Sequence, residues 1–246
     1  MFYGNFNDPA DQALMKQLAE ALPRMFGRVY LGDNNILLGR SLSFLEDPKF
    51  LAAMQRQAKN DQEQSLAVRM NTLVWAFDNA LQLEGDIVEC GVWRGFSFGF
   101  LTDYFDFAGL PKTLWLYDTF EGIPAEYDTE GQDTPALREA GLYESVVARF
   151  AAFPNVNVVK GLLPASLEGA SPSRISLLHL DMNSSRGEIE TLDALFDRVV
   201  PGGMIILDDY GWAMYRAQHD AEKAWAAERG YRILETPNGQ GVLIKR

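Results

Sequence analysis

Apolar residues along this chain follow two different rhythms, and the change from one to the other falls near position 85. Upstream, Leu66, Met70, Leu73, Phe77 and Leu81 recur at spacings of three and four, which predicts a helix with one buried stripe. Asp11 to Met25 predicts another helix. Gly27 to Pro48, with Gly32-Asp33-Asn34-Asn35 and Glu46-Asp47-Pro48, predicts turns and irregular structure. Residues 1–60 therefore read as a helical or irregular cap or oligomer arm, and residues 61–246 as the main domain. From Asp86 onward, short apolar runs predict strands at Asp86 to Cys90, Thr113 to Asp118, Val156 to Lys160, Ser176 to Asp181 and Met204 to Asp208. Amphipathic segments between them, Phe96 to Phe107, Leu142 to Phe153, Gly187 to Val199 and Trp212 to Arg229, predict helices. Strands that are apolar throughout and joined by helices need a parallel sheet covered on both faces. Tyr231 to Glu235 and Gly241 to Lys245 flank an Asn238-Gly239 pair suited to a hairpin. The predicted fold is α/β: a doubly wound, mostly parallel, seven-stranded sheet with a C-terminal antiparallel hairpin and a helical N-terminal extension.

The 246 residues suffice for one large core. Apolar residues make up 47% of the chain, yet none of its runs approaches the roughly 18 apolar residues of a membrane helix. The first residues, Met1-Phe2-Tyr3-Gly4-Asn5-Phe6, have no basic cluster before an apolar run, so a soluble, cytoplasmic protein is expected, with no membrane partner. A single cysteine, Cys90, excludes an internal disulfide and a thiolate zinc site. A net charge of −12 without a basic run argues against nucleic acid.

In doubly wound sheets, ligands bind beyond the carboxyl ends of the strands at the topological switch point. The first strand ends in Glu89-Cys90-Gly91 and turns through Gly95. Gly91 and Gly95 permit a tight turn, Ser97 falls where a helix N-cap is expected, and the amides of that helix start suit a methionine carboxylate. Asp118, followed by Thr119, ends the second strand and suits ribose hydroxyls, which points to an adenosyl ligand. Lys160-Gly161, ending the third strand, reads either as backbone beside adenine or as a surface loop. The pattern is not Gly-x-Gly-x-x-Gly, and Glu89 to Asp118 exceeds the ~20-residue spacing usual for nicotinamide sites. A nicotinamide-dependent oxidoreductase and a non-catalytic nucleoside-binding module remain the alternatives.

Asp181 ends the fourth strand, and Asp208-Asp209 ends the fifth. Neighbouring strands would bring these carboxylates to one rim, where their repulsion calls for a cation, and oxygen-only ligation favours Mg²⁺ or Ca²⁺. His179 reads as a hydrogen-bonded core residue. His219 shares a helical face with Tyr215 and Arg216 and is placed for substrate contact. The acidic segment from Glu121 to Gly141 is long for a loop and reads either as a mobile lid or as a solvated excursion with no role.

Together, Val88-Glu89-Cys90-Gly91-Val92-x-Arg94-Gly95, Asp118-Thr119-Phe120-Glu121-Gly122-Ile123-Pro124, His179-Leu180-Asp181-Met182-Asn183 and Leu207-Asp208-Asp209-Tyr210-Gly211 resemble the TylF/MycF (macrocin O-methyltransferase) family from about residue 65 onward. The resemblance implies an S-adenosylmethionine-dependent, Mg²⁺-assisted O-methyltransferase acting on a sugar-like hydroxyl of a small, possibly glycosylated molecule, as a homo-oligomer (dimer or higher). It implies metal binding by Asp181, Asp208 and Asp209, with Asp181 also the candidate base and His219 the other candidate for that role. Better-known members continue after the strand-four aspartate with a further acid and a Tyr-Glu-Ser-Thr-like segment, where this chain has Met182-Asn183-Ser184-Ser185-Arg186.

Overall fold

The computed structural model describes residues 8–246, so the N-terminal hexapeptide read above lies outside the described residues. The chain divides into two compact units, one reaching Asn71 and the other running from Thr72 to Arg246.

The first unit opens with α1 (Pro9–Phe26), started by Asp8, whose carboxylate accepts from the Ala10 amide, and stopped at Gly27, φ +69°. Strands β1 (Val29–Gly32) and β2 (Asn35–Leu38) then form an antiparallel hairpin in the stretch expected to be irregular. The reason is local. Asp33 and Asn34 both adopt positive φ, 51° and 54°, the pair of left-handed residues that a two-residue hairpin turn requires. Asp33 is further held by a buried ion pair with Arg69 Nε at 2.8 Å. Helices α2 (Pro48–Gln57) and α3 (Asp61–Gln64) follow, each capped by the side chain before it, Asp47 and Asn60. Helix α4 (Ala67–Leu81) carries the predicted stripe, with Met70, Leu73 and Phe77 all buried. The boundary between the units falls within it.

In the second unit, strands β3 (Asp86–Cys90), β4 (Leu114–Asp118), β5 (Val156–Lys160), β6 (Ile175–Leu180) and β7 (Val199–Leu207) run parallel. Strands β8 (Leu234–Glu235) and β9 (Gly241–Ile244) close the sheet antiparallel, in the order β5-β4-β3-β6-β7-β9-β8. The chain leaves β3 toward β4 and β5 and returns to β3's other side as β6, so the switch point lies between β3 and β6. The connecting helices are α5 (Phe96–Tyr104), α6 (Leu142–Phe150), α7 (Ser185–Leu195) and α8 (Arg216–Glu228).

Alternation along the strands divides the core. Val88, Cys90, Leu178, Leu180, Ile205 and Leu207 join one apolar cluster with Leu192, Leu195 and Trp225, while Glu89 and His179 face the other way and are equally buried. No helix among the described residues is long and apolar enough to cross a membrane.

The switch point is very close-packed. A Cβ built on Gly91 (φ +87°) would lie inside the backbone carbonyl of Asp181, whereas one on Gly131 (φ +70°) meets nothing within 4 Å. Gly131→Ala bears only the conformational penalty of positive φ. Gly91→Ala adds a backbone clash and should cost about 3 kcal/mol or more, lowering Tm by roughly 6–12 °C against a much smaller shift for Gly131→Ala in parallel thermal melts.

Candidate active site

The rim at the carboxyl ends of β3, β4, β6 and β7 gathers the residues singled out in the sequence. The turn after β3 is built from positive-φ residues: Gly91, Trp93 (φ 45°) and Gly95 (φ 71°). Gly95, in the left-handed region, is the N-cap of α5, and no side chain caps this helix. Ser97, expected at the cap, instead lies inside the first turn, because glycine alone reaches the cap conformation without strain. Cys90 turns its thiol into the apolar cluster, and burial pushes its pKa well up. Its carbonyl accepts from the Asp181 amide at 2.8 Å.

Asp118 holds this turn. Its Oδ2 accepts from the amides of Val92 (2.7 Å) and Trp93 (2.8 Å), and its Oδ1 from Phe120 (2.6 Å). Three of the about four acceptor positions of a carboxylate are thus occupied. Thr119 Oγ1 donates to the Gly122 carbonyl at 2.7 Å, closing the next bend. Gly161 N–H donates to the Asp118 carbonyl, and Lys160 pairs with Glu121 at 2.7 Å. Between them lies a pocket of about 870 Å³, whose walls include Thr119, Arg138, Tyr143, Lys160 and Gly161.

The acidic segment from Glu121 to Gly141 is a strap tied on both sides of the rim. Trp93 Nε1 donates to the Ala136 carbonyl (3.0 Å) and Arg94 Nε to Glu139 (3.0 Å). On the other side, Tyr127 OH donates to Glu190 and Ser184 Oγ donates to the Tyr127 carbonyl, both at 2.7 Å. Arg186 lies 4.7 Å from the Tyr127 ring. These ties are the signal that sequence reading missed, since their partners are 43 to 63 residues apart.

The three rim aspartates differ in setting. The parallel ladder continues one residue past the strands, with Asp208 N–H donating to the Leu180 carbonyl at 2.9 Å, so Asp181 and Asp208 occupy neighbouring backbone positions. Asp181 is half-buried, and Asp208 and Asp209 are 6% and 7% exposed. Asp208 Oδ1 accepts from Gln240 Nε2 at 2.7 Å and lies 3.3 Å from His179 Nε2. On its other side, His179 Nδ1 lies 3.5 Å from Glu89 Oε1. Burial lowers the His179 pKa, but its two carboxylate neighbours outweigh this and raise it to about 10, so the ring carries a proton. Burial pushes Glu89 up to about 7.

Among the described residues, no three His, Cys, Asp or Glu side chains form a group able to hold an ion. Of the three rim aspartates, Asp208 has its Oδ1 engaged by Gln240 and His179.

His219 Nδ1 lies 2.8 Å from the Tyr210 carbonyl, which only accepts; that nitrogen carries the proton and Nε2 is the ring's remaining acceptor. Arg216 of the same helix is drawn to Asp220 at 2.9 Å.

Behind the rim lies a carboxyl pair that sequence reading did not register. Glu188 Oε1 accepts from the Met182 amide at 3.0 Å, and Glu222 of α8 faces Glu188 with both side chains fully buried. Burial is the main cause of both upward shifts: Glu188 rises well above 4.5 and Glu222 to about 7. A carboxyl whose folded pKa is raised stabilises the fold fully below its unfolded pKa and loses that contribution as pH rises through the folded value. Thermal melts should therefore show stability falling between about pH 4.5 and 7 from this pair. Glu222→Gln should flatten that fall and melt higher than the parent at pH 8.

Solved structures share this architecture. The O-methyltransferase NovP superposes with TM-score 0.65 at 17% identity, covering 95% of this chain and 98% of that one. The calicheamicin methyltransferase CalS11 gives 0.61 at 16%, covering 99% of each. The fold is thus that of class I methyltransferases. Residues 57–235 match the family described as Macrocin-O-methyltransferase (TylF), and the chain belongs to that family. Among curated relatives, the 8-demethyl-8-(2,3-dimethoxy-alpha-L-rhamnosyl)-tetracenomycin-C 4'-O-methyltransferase of Streptomyces olivaceus is 31% identical over 62% of this chain and 64% of its own length. Mycinamicin III 3''-O-methyltransferase of Micromonospora griseorubida is 29% identical over 58% and 62%. The chain spans just under two thirds of the length of these curated relatives.

Proposed function

We propose that this protein transfers a methyl group from S-adenosylmethionine to a hydroxyl of a sugar-bearing small molecule. The observation that carries this reading is the joining of the Gly91–Gly95 turn to Asp118 at the switch point, in a chain of a family whose curated relatives are named as O-methyltransferases. The uncapped start of α5, including Ser97, receives the methionine carboxylate. Asp118 offers its remaining acceptor position to a ribose hydroxyl, and Glu89 and Cys90 fix the strand end from which the turn departs. Adenine lies in the pocket beside Thr119, Lys160 and Gly161. The acceptor enters on the β6 and β7 side, where Asp181, or His219 through Nε2, takes the hydroxyl proton as the oxygen–methyl bond forms and the sulfonium–methyl bond breaks. Sugar-linked acceptors follow from the relatives' names, one specifying a rhamnosyl substrate.

Calorimetric titration should give binding of S-adenosylmethionine and S-adenosylhomocysteine and none of NAD. Asp118→Ala should weaken adenosyl binding about 10-fold or more, the equivalent of about 1.4 kcal/mol. NAD binding with no adenosyl binding would overturn the reading, and adenosyl binding without turnover on any glycoside would favour a nucleoside-binding module. Magnesium assistance by Asp181, Asp208 and Asp209 belongs to this reading, with Gln240 and His179 holding Asp208 through its Oδ1. Calorimetric titration with Mg²⁺ in the presence of S-adenosylmethionine should give binding that Asp181→Ala abolishes, and an absence of Mg²⁺ binding together with turnover unaffected by EDTA would reject the metal role.

Homo-oligomerisation through the N-terminal region belongs to the same proposal. Its support is α1, which buries none of its residues and exposes Leu14, Leu18, Met25 and Phe26. A monomer at micromolar concentration in analytical ultracentrifugation would reject it.

A further inference from the structure

The turn of the C-terminal hairpin is unusually buried. Turn residues usually face water, yet Asn238 and Gln240 are only 2% and 0% exposed. Asn238 Nδ2 donates to Thr72 Oγ1 (3.0 Å) and to Gln240 Oε1 (2.9 Å). The Gln240 backbone N–H, which can only donate, reaches Asn238 Oδ1 at 3.3 Å and so fixes the Asn238 amide from its other end. With its carbonyl oxygen occupied by Asn238, Gln240 can present only its amino group to Asp208, and it does so at 2.7 Å. The turn is also pinned beneath the end of β7, where Gly211 N–H donates to the Gly239 carbonyl at 2.7 Å. A directed chain therefore runs from Asn238 through Gln240 to Asp208, and continues past His179 to Glu89 at the head of the cofactor turn.

Such a chain adds little net stability, since each buried polar group forfeits its hydration and regains only about 0.5–1.5 kcal/mol per bond. What its Asn238–Gln240–Asp208 segment does supply is direction, because each donor there meets an acceptor and only one orientation of the Gln240 amide satisfies both bonds. We infer that Gln240 is a positioning residue that fixes the Asp208 carboxylate at the acceptor side of the site, making the C-terminal hairpin part of the catalytic machinery. This inference rests on the methyl-transfer reading above.

Gln240→Met keeps length and volume and removes both side-chain hydrogen bonds, the one to Asp208 and the one from Asn238. In this variant, S-adenosylmethionine affinity should stay within about twofold of the parent. The kcat on a rhamnosyl acceptor, with 4-nitrophenyl α-L-rhamnoside as the first probe, should fall about 10–100-fold, as expected when a positioned group is misplaced. Because Gln240 acts through Asp208, adding Gln240→Met to Asp208→Asn should cause no further loss. A second measurement needs no acceptor. The chain has two histidines, His179 and His219, so their imidazole NMR signals separate cleanly; Gln240→Met should move the His179 signals and leave those of His219. If Gln240→Met does not fold, Asn238→Leu, which removes the brace behind Gln240, should move the same signals and lower kcat in the same direction. An unchanged kcat, losses that multiply in the double variant, or unmoved His179 signals would overturn the inference. Failure of the parent to bind S-adenosylmethionine would instead sink the methyl-transfer reading, and the Gln240 linkage would then be decided by the His179 signals alone.

Discussion

The structure turns on one close approach, the passage of the Gly91 backbone against the carbonyl of Asp181 where β3 and β6 part company. Only a residue without a Cβ fits there. The Asp181 amide bonds back to Cys90 and the Asp208 amide to Leu180, so three strand ends are locked in step. That locking puts Asp181 and Asp208 side by side and sets the Gly91–Gly95 turn directly before Asp118. A wider separation at Gly91 would leave each candidate residue in place on its own strand and dissolve the constellation between them.

Around this point the rim stores charge in an ordered way. A protonated His179 stands between Glu89 and Asp208, and burial raises the pKa of both Glu188 and Glu222. With one cation inserted among these acids and the buried pair shifted toward its neutral forms, the low-dielectric interior does not hold a row of bare carboxylates. Asp118 solves the same problem by other means, drawing three backbone amides to itself. The strap from Glu121 to Gly141 reaches from the Gly91–Gly95 turn to the start of α7.

Much of this was legible in the sequence. Strands β3, β4, β6 and β7 announced themselves because a parallel sheet buried on both faces demands mostly apolar runs, while the edge strand β5 was marked by its valines alone, and the acids and glycines ending those runs marked the rim. Family membership was legible for a related reason: four short motifs in order carry far more information than any one turn. The hairpin at Val29–Leu38 was not legible as strand, since Asp33-Asn34 signals a turn without saying what it joins. The position of Ser97 misled because serine is a good cap, whereas the left-handed entry into α5 favours Gly95.

What the sequence determined by itself is the order of elements and the residues that end them, because local periodicity and turn chemistry act over a few neighbours. What only the tertiary structure decided is which polar groups meet. Gln240 lies 32 residues from Asp208, and His179 lies 29 from it. Glu222 comes to Glu188 from another helix. No short-range pattern encodes those meetings, since they arise only when strands in a crossed-over order bring distant residues to one edge. The three aspartates illustrate both halves: the sequence placed them on a common rim, and the fold then turned Asp208 inward toward a hairpin amide and a protonated imidazole.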